Sequence, residues 1–239
     1  MFKDLQNYLD TVIGACDFVK GKKRTDKQIN ISFDEWGVIT ETGAVPGGVS
    51  QEYKFASFKE MDAMIYGGIL SVFINNADRV KIACQSLLVN EGGMISTDPK
   101  GNAIRQATFY PFKYMAQYAK GMSLRPAAIY PQVETDHHGK QDSVVLSCTF
   151  DEDNGEVAVF ITNLDMEEGV SVELELNSFG ELKAIEMNEL YHDDPYAINS
   201  FDNEFNVVPA NIPLSDPEGG KVTVDVKAHS WNFLRFKVQ

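Results

Sequence analysis

Residues 29–38 read Ile-Asn-Ile-Ser-Phe-Asp-Glu-Trp-Gly-Val, a short apolar segment that runs into two carboxylates and a tryptophan. The apolar part, residues 29–33, predicts a β-strand. A second segment of this kind, Val-Lys-Ile-Ala-Cys, follows at residues 80–84. Between them, Ser57 and Glu60 have the spacing of a capping box, which predicts the start of a helix. A strand, a helix and a second strand in this order are typical of a parallel sheet with a crossover helix.

Two further helices flank this unit. Residues 3–20 carry apolar side chains at helical spacing, and Pro111 and Gly121 bracket a later helix in the positions that these residues favour. A parallel sheet of only two strands leaves both edges unpaired and cannot cover its helices. We therefore expect the first half of the chain to be a piece of a larger α/β structure; a complete (β/α)8 barrel, for comparison, takes about 250 residues.

The second half has a different pattern, and its segments are short, alternate in polarity and are separated by polar turns. This predicts an antiparallel β-sandwich. The change coincides with a change in charge: residues 1–120 hold 14 Lys+Arg and 13 Asp+Glu, whereas residues 121–239 hold 7 and 22. The expected strands are 143–150, 156–163, 171–176, 182–190, 221–226 and 231–238.

The composition excludes several classes of protein. With 44% apolar and 23% charged residues among 239, the chain is typical of a folded globular protein rather than a disordered one. No apolar run approaches the roughly 18–20 residues that span a bilayer. The net charge of −14 argues against nucleic acid and anionic membranes as partners. Three widely spaced cysteines indicate a reducing compartment rather than a disulfide framework.

Glu35 is the strongest candidate for chemistry. It lies where a predicted parallel strand ends, which is where sites form in α/β folds. The neighbouring Trp36 would offer an aromatic face to a sugar ring, while the carboxylate could attack or stabilise the anomeric carbon. The alternative is that Asp34 and Glu35 are an acidic pair that caps a loop.

Several segments, in order along the chain, resemble those of glycoside hydrolase family 51, the α-L-arabinofuranosidases. The resemblance covers essentially the whole chain, and no single tetrapeptide carries it. The segments are Ile-Ser-Phe-Asp-Glu-Trp-Gly-Val (31–38), Ala-Asp-Arg-Val-Lys-Ile-Ala-Cys (77–84), Leu-Val-Asn (88–90), Thr-Asp (97–98), Thr-Phe-Tyr-Pro-Phe (108–112) and Ser-Trp-Asn (230–232).

The family fold implies that residues 1–122 are the last part of a (β/α)8 barrel, with strands 7 and 8, and that residues 123–239 are a jelly-roll β-sandwich. The implied activity is release of non-reducing terminal α-L-arabinofuranosyl groups from arabinose-containing oligosaccharides or polysaccharides, with retention and without a cofactor. The resemblance also implies a homo-oligomer for the full-length form and, together with the unpaired cysteines, a cytoplasmic location.

The resemblance assigns the nucleophile to Glu35. Retention requires a second carboxyl about 5–5.5 Å away as general acid/base. In the family this is the glutamate of an Asn-Glu pair at the end of strand 4, a strand that we expect this chain to lack. Asn90-Glu91 has the same two residues, but it follows strand 8, so we interpret Glu91 as a loop residue. The chain is therefore expected to carry the nucleophile without the acid/base.

The substrate contacts are predicted at Trp36 and Gln85. The family commonly has glutamine where this chain has Leu87, and Gln85, two residues earlier on the same strand face, is a possible substitute. No metal site is predicted: adjacent His137 and His138 in a polar loop are interpreted as solvated side chains. Two other functions remain open, a non-catalytic sandwich module for binding or assembly with a barrel remnant, and an interaction protein unrelated to carbohydrate.

Overall fold

A computed structural model describes residues 2–38, 57–136 and 138–239. The first half contains three helices and short strands: α1 (Phe2–Lys23), β1 (Ile31–Trp36), α2 (Glu60–Asn75), β2 (Val80–Gln85), β3 (Ile95–Thr97), β4 (Ala103–Arg105) and α3 (Phe109–Tyr118). The second half is built from strands: β5 (Met122–Leu124), β6 (Gln132–Thr135), β7 (Gly139–Asp142), β8 (Val144–Asp151), β9 (Glu156–Asn163), β10 (Val170–Glu175), β11 (Leu182–Leu190), β12 (Ala210–Ile212), β13 (Lys221–Val226) and β14 (Ser230–Val238).

The predicted parallel pair is present. Strands β1 and β2 run parallel, with Ile31 opposite Val80 and Trp36 opposite Gln85. Strand β1 covers Ile31–Trp36 and so ends three residues later than the predicted 29–33. Glu35 is therefore the second-last residue of the strand. Helix α2 connects the two strands and packs on them through a core that includes Phe73.

The predicted start of α2 is wrong. The helix begins at Glu60 with Lys59 as its N-cap, and the Lys59 N–H donates a hydrogen bond to Asp62 Oδ2 (2.8 Å). A distant loop satisfies the first free N–H groups of the helix, because Glu60 N–H donates to Ala197 O (2.9 Å) and Met61 N–H to Pro195 O (3.1 Å). These donors otherwise need a cap, so the helix forms without the predicted Ser57 cap.

The second half forms two antiparallel sheets around one core and a separate hairpin of β6 and β7. Six strands pair in the order β12-β11-β14-β9-β8-β5, and β10 pairs with β13 in a two-stranded sheet. Side chains of both sheets share the core, among them Val159, Leu234 and Phe236 from the first and Leu174 and Val224 from the second. The strands predicted at 156–163, 182–190 and 221–226 coincide with β9, β11 and β13.

Helix α2 lies between the parallel pair and the six-stranded sheet. Its sheet-facing side consists of small residues: Ala63 packs beside Trp231, and Ser71 Oγ accepts a hydrogen bond from Ser147 Oγ (3.0 Å). Asn75 Nδ2 donates to Leu146 O (2.8 Å). Gly67 lies so close to Trp231 that a methyl group there would fall 2.1 Å from the indole Cδ1. None of the helices in the described residues combines the length and apolar character that a bilayer crossing needs.

Replacing Gly67 with alanine is expected to destabilise the protein by about 1–3 kcal/mol, because the added methyl overlaps the Trp231 ring. Helix propensity alone would favour alanine by up to about 1 kcal/mol. The measurement is the free energy of unfolding in urea. Gly14→Ala in α1 is the matched control, since no atom lies within 4 Å of its added methyl. Equal shifts in the two variants would contradict the packing described for α2.

Candidate functional site

Glu35 lies at the carboxyl end of the parallel pair and is exposed. The register places the end of β1 beside Ser86, whose N–H donates to Trp36 O (3.1 Å). Ser86 Oγ donates a second hydrogen bond, to Glu35 Oε1 (2.9 Å). The Glu35 carboxylate is therefore accessible and held by the neighbouring strand at the edge where α/β folds place their sites.

Trp36 is enclosed rather than open to solvent. Its ring is 6% exposed and contacts Tyr66, Phe73 and Phe112, with centroid distances of 5.3, 5.6 and 6.2 Å. Its Nε1 has no hydrogen-bond partner among the described residues. In these surroundings the ring anchors the end of β1, and its predicted contact with a sugar stays a prediction.

Gln85 is oriented by contacts within the protein. Its Nε2 lies 2.7 Å from Ser86 O, 3.1 Å from Gly92 O and 3.2 Å from the Tyr66 hydroxyl oxygen. Because carbonyl oxygens only accept hydrogen bonds, the amide NH₂ faces the two carbonyls. Any sugar contact of Gln85 would therefore use its carbonyl oxygen, and this contact too stays a prediction.

Tyr66 is a site-lining residue that the sequence reasoning missed. It is fully buried in α2, and its hydroxyl meets Gln85 Nε2 and the main chain of Val38. Burial raises the pKa of Tyr66 to about 12, so the hydroxyl is neutral. The available signal was a phenol within an otherwise apolar helical segment, since a buried tyrosine hydroxyl usually has a hydrogen-bond partner.

The loop after β2 contains three non-glycine residues with left-handed backbone conformation, Leu87 (φ 62°), Asn90 (φ 59°) and Glu91 (φ 43°). Asn90 fastens this loop to β3, since its Oδ1 accepts from Thr97 N–H (2.7 Å) and its Nδ2 donates to Thr97 Oγ1 (2.9 Å). Leu87 is half exposed, and Glu91 is exposed in the loop.

The histidine pair is only partly described. His137 lies outside the described residues, whereas His138 Nε2 lies 3.0 Å from the Asp4 carboxylate. No group of three or more His, Cys, Asp or Glu side chains suited to a metal ion occurs within residues 2–38, 57–136 and 138–239. The arrangement brings the exposed carboxylate of Glu35 together with the fixed polar side chains of Ser86, Gln85 and Tyr66.

Comparison with known proteins identifies the family. Residues 34–230 match the family model described as the α-L-arabinofuranosidase C-terminal domain. Two curated relatives are named intracellular exo-α-(1→5)-L-arabinofuranosidase: that of Acetivibrio thermocellus is 30% identical over 97% of this chain and 48% of its own. The Bacillus subtilis enzyme, intracellular exo-α-(1→5)-L-arabinofuranosidase 1, is 32% identical, and the match covers 99% of this chain and 48% of the relative's chain.

A solved structure agrees with these matches. The family 51 α-L-arabinofuranosidase from Bifidobacterium longum superposes with a TM-score of 0.88 and 26% identity, and the match covers 99% of this chain and 47% of that one. The chain thus spans about half the length of the curated relatives that it matches. The chain belongs to the α-L-arabinofuranosidases of glycoside hydrolase family 51 and corresponds to their C-terminal region.

Proposed function

We propose that this chain supplies the nucleophile of a retaining α-L-arabinofuranosidase. The observation that carries the proposal is Glu35, an exposed carboxylate at the carboxyl end of a parallel strand, hydrogen-bonded through Oε1 to Ser86. Residues 1–122 then form the end of a (β/α)8 barrel with β1 and β2 as its last two strands, and residues 123–239 form a jelly-roll sandwich. The curated relatives' names support the activity.

The proposed reaction is a double displacement. A carboxylate oxygen of Glu35 attacks the anomeric carbon, the bond to the leaving oxygen breaks, and that oxygen takes a proton from the general acid. Water then attacks the arabinosyl ester, gives its proton to the same acid/base and releases Glu35. The second step restores the configuration of the sugar.

The acid/base of this reaction is proposed to lie outside this chain. Glu91 is not assigned the role, because it lies in the loop after β2. This loop is fastened to β3 through Asn90, and Glu91 itself has a left-handed backbone conformation. The chain covers 48% of the length of two relatives, so about half of each relative lies outside the match and could carry the second carboxyl. A polypeptide segment with the first six strands would then provide the second carboxyl.

The proposed substrates are oligosaccharides or polysaccharides that carry terminal α-L-arabinofuranosyl groups. The names of the two relatives include exo action, an α-(1→5) linkage and an intracellular location. By analogy we propose exo action inside the cell and a homo-oligomer for the full-length form. The linkage is not assigned, because a further relative is named an exo-α-(1→6)-L-arabinofuranosidase.

A second candidate is a non-catalytic binding or assembly module. It is favoured by the separate two-sheet core of the second half, which gives that half a packing unit of its own. The two functions differ in what happens when the missing half is supplied. With the other half supplied, a binding module would still show no turnover, whereas part of an enzyme would regain turnover.

The test is a chimera in which the part of the Bacillus subtilis relative outside the matched region is joined to this chain. We expect the chimera to hydrolyse a chromogenic aryl α-L-arabinofuranoside, since the two carboxyls then face one another. A folded chimera without turnover, beside an active full-length relative, would favour the binding module.

A further inference from the structure

Two buried titratable side chains face each other where α2 meets β14. Glu60 is 0% exposed and His229 is 7% exposed. His229 Nδ1 lies 3.6 Å from Glu60 Oε2. Among the described residues, neither carboxyl oxygen of Glu60 nor His229 Nδ1 has a hydrogen-bond partner. Buried polar atoms without partners are costly, so the two groups are each other's available partners.

The backbone at His229 supports a role for its side chain. Its φ is 35°, in the left-handed region where glycine is favoured and most other residues are strained. The strained turn is held by the His229 N–H, which donates to Asp165 O (2.7 Å). A glycine would adopt this backbone conformation without strain. The turn itself therefore does not require a histidine, which points to a role for the imidazole side chain.

Other charged groups surround the pair. On α2, Asp62 lies near Glu60 and Lys59 precedes it. At the end of β11, the Tyr191 ring lies 5.0 Å from the His229 ring. Lys227 Nζ pairs with Glu189 Oε2 (2.8 Å) and lies 4.3 Å from the Tyr191 ring centre. Because Lys227 is already paired with Glu189, it does not neutralise Glu60.

The protonation state follows from this burial. Desolvation, and then the charge of Asp62, raise the pKa of Glu60 to about 9. At neutral pH the carboxyl therefore carries a proton, which it can donate to the imidazole Nδ1 of His229. At 3.6 Å, His229 Nδ1 and Glu60 Oε2 lie slightly beyond hydrogen-bond distance, so the proposed contact requires the carboxyl group to move closer.

We propose that Glu60 and His229 are a positioning pair that shares one proton and fastens the N-terminal end of α2 to the start of β14. Two turns further along α2, Gly67 rests on Trp231, so the same face of the helix continues the contact. Helix α2 also carries Tyr66, which meets Gln85 and Trp36. The consequence for substrate binding rests on the proposed function, whereas the pair itself does not.

The test compares the pH dependence of unfolding in the wild type and in Glu60→Gln. A pKa raised above its unfolded value stabilises the fold fully below the unfolded pKa, and this contribution is lost as the pH rises through about 9. Between about pH 7 and 9 an unfolded chain holds a proton on neither side chain. Relative to Glu60→Gln, the wild-type equilibrium constant for unfolding should rise by up to about tenfold per pH unit in this range.

Two further variants make the result specific to the pair. Glu156→Gln removes a partly buried carboxylate at the other end of β14 from His229, one paired with Arg235 (3.1 Å), and should keep the wild-type pH dependence. His229→Asn accepts the left-handed backbone, and the double variant with Glu60→Gln should show non-additive unfolding equilibria, because each side chain acts through the other. Because this test measures unfolding and not hydrolysis, its result does not depend on whether the proposed catalytic function is correct. Parallel pH curves for wild type and Glu60→Gln, or additive effects in the double variant, would overturn the proposal.

Discussion

Glu35→Gln is expected to abolish turnover in the chimera, lowering kcat for an aryl α-L-arabinofuranoside by about 10⁴-fold or more, as removal of a nucleophilic group does elsewhere. The glutamine keeps the size of the side chain, and its amide oxygen can still accept from Ser86 Oγ, the present partner of Glu35 Oε1. It lacks the negative charge that attacks the anomeric carbon and cannot form the ester intermediate. Initial rates over a range of substrate concentrations give kcat and KM separately.

Asp34→Asn is the matched control for this experiment. Asp34 is the preceding residue on β1 and is also exposed, but its carboxylate bonds to Ser32 Oγ on its own strand. Its replacement should leave kcat within a few-fold of the unmodified chimera. Similar losses in the two variants would show that strand-end charge, rather than a nucleophile, supports turnover.

Trp231→Ala is expected to destabilise the chain by about 3–5 kcal/mol, the range for removing a buried large aromatic side chain. Trp231 is fully buried and lies where α2, α3 and the six-stranded sheet meet. Its ring contacts Phe160 (6.3 Å between centroids) and Tyr114 (5.9 Å), and it touches Gly67. Because a domain's total stability is about 5–15 kcal/mol, urea unfolding should move to a much lower midpoint.

The control is Phe18→Ala on the outer side of α1, where the ring is 68% exposed. Substitutions at such exposed positions usually change stability by less than about 0.5 kcal/mol. A loss at Phe18 comparable to that at Trp231 would contradict the assignment of Trp231 to the junction of the layers.

The strands were predictable where one face of a sheet is buried. In β13, buried and exposed residues alternate along Lys221–Val226, and this alternation is visible in the sequence as Lys-Val-Thr-Val-Asp-Val. The β3–β4 and β6–β7 hairpins were not predicted. Their strands have only three or four residues each, too few for periodicity to distinguish them from turns.

The start of α2 could not be read locally, because Pro195 and Ala197, far along the chain, accept its first hydrogen bonds. The second packing face of this helix did leave a sign in the sequence. Ala63, Gly67, Ser71 and Asn75 recur every four residues, which is the ridge that one helix side presents to a neighbouring layer.

The candidate site was predictable in part. The position of Glu35 follows from the end of a strand, which local sequence indicates. The enclosure of Trp36 does not, since one wall of its pocket is Phe112 of α3, 76 positions later in the chain. Similarly, the orientation of Gln85 depends on Tyr66 and Gly92, which tertiary structure brings together.

The central claim is that this chain holds the nucleophile of an arabinofuranosidase without the acid/base. The most direct measurement is the hydrolysis of a chromogenic aryl α-L-arabinofuranoside by the purified 239-residue chain, beside its Glu35→Ala variant and the chimera. Loss of a general acid/base alone lowers rates by about 10²–10⁴-fold, and loss of substrate positioning adds to this. We predict turnover by the chimera and none above background by either form of the chain alone. Robust turnover by the chain that disappears in Glu35→Ala would contradict the account, because the chain would then be catalytically complete.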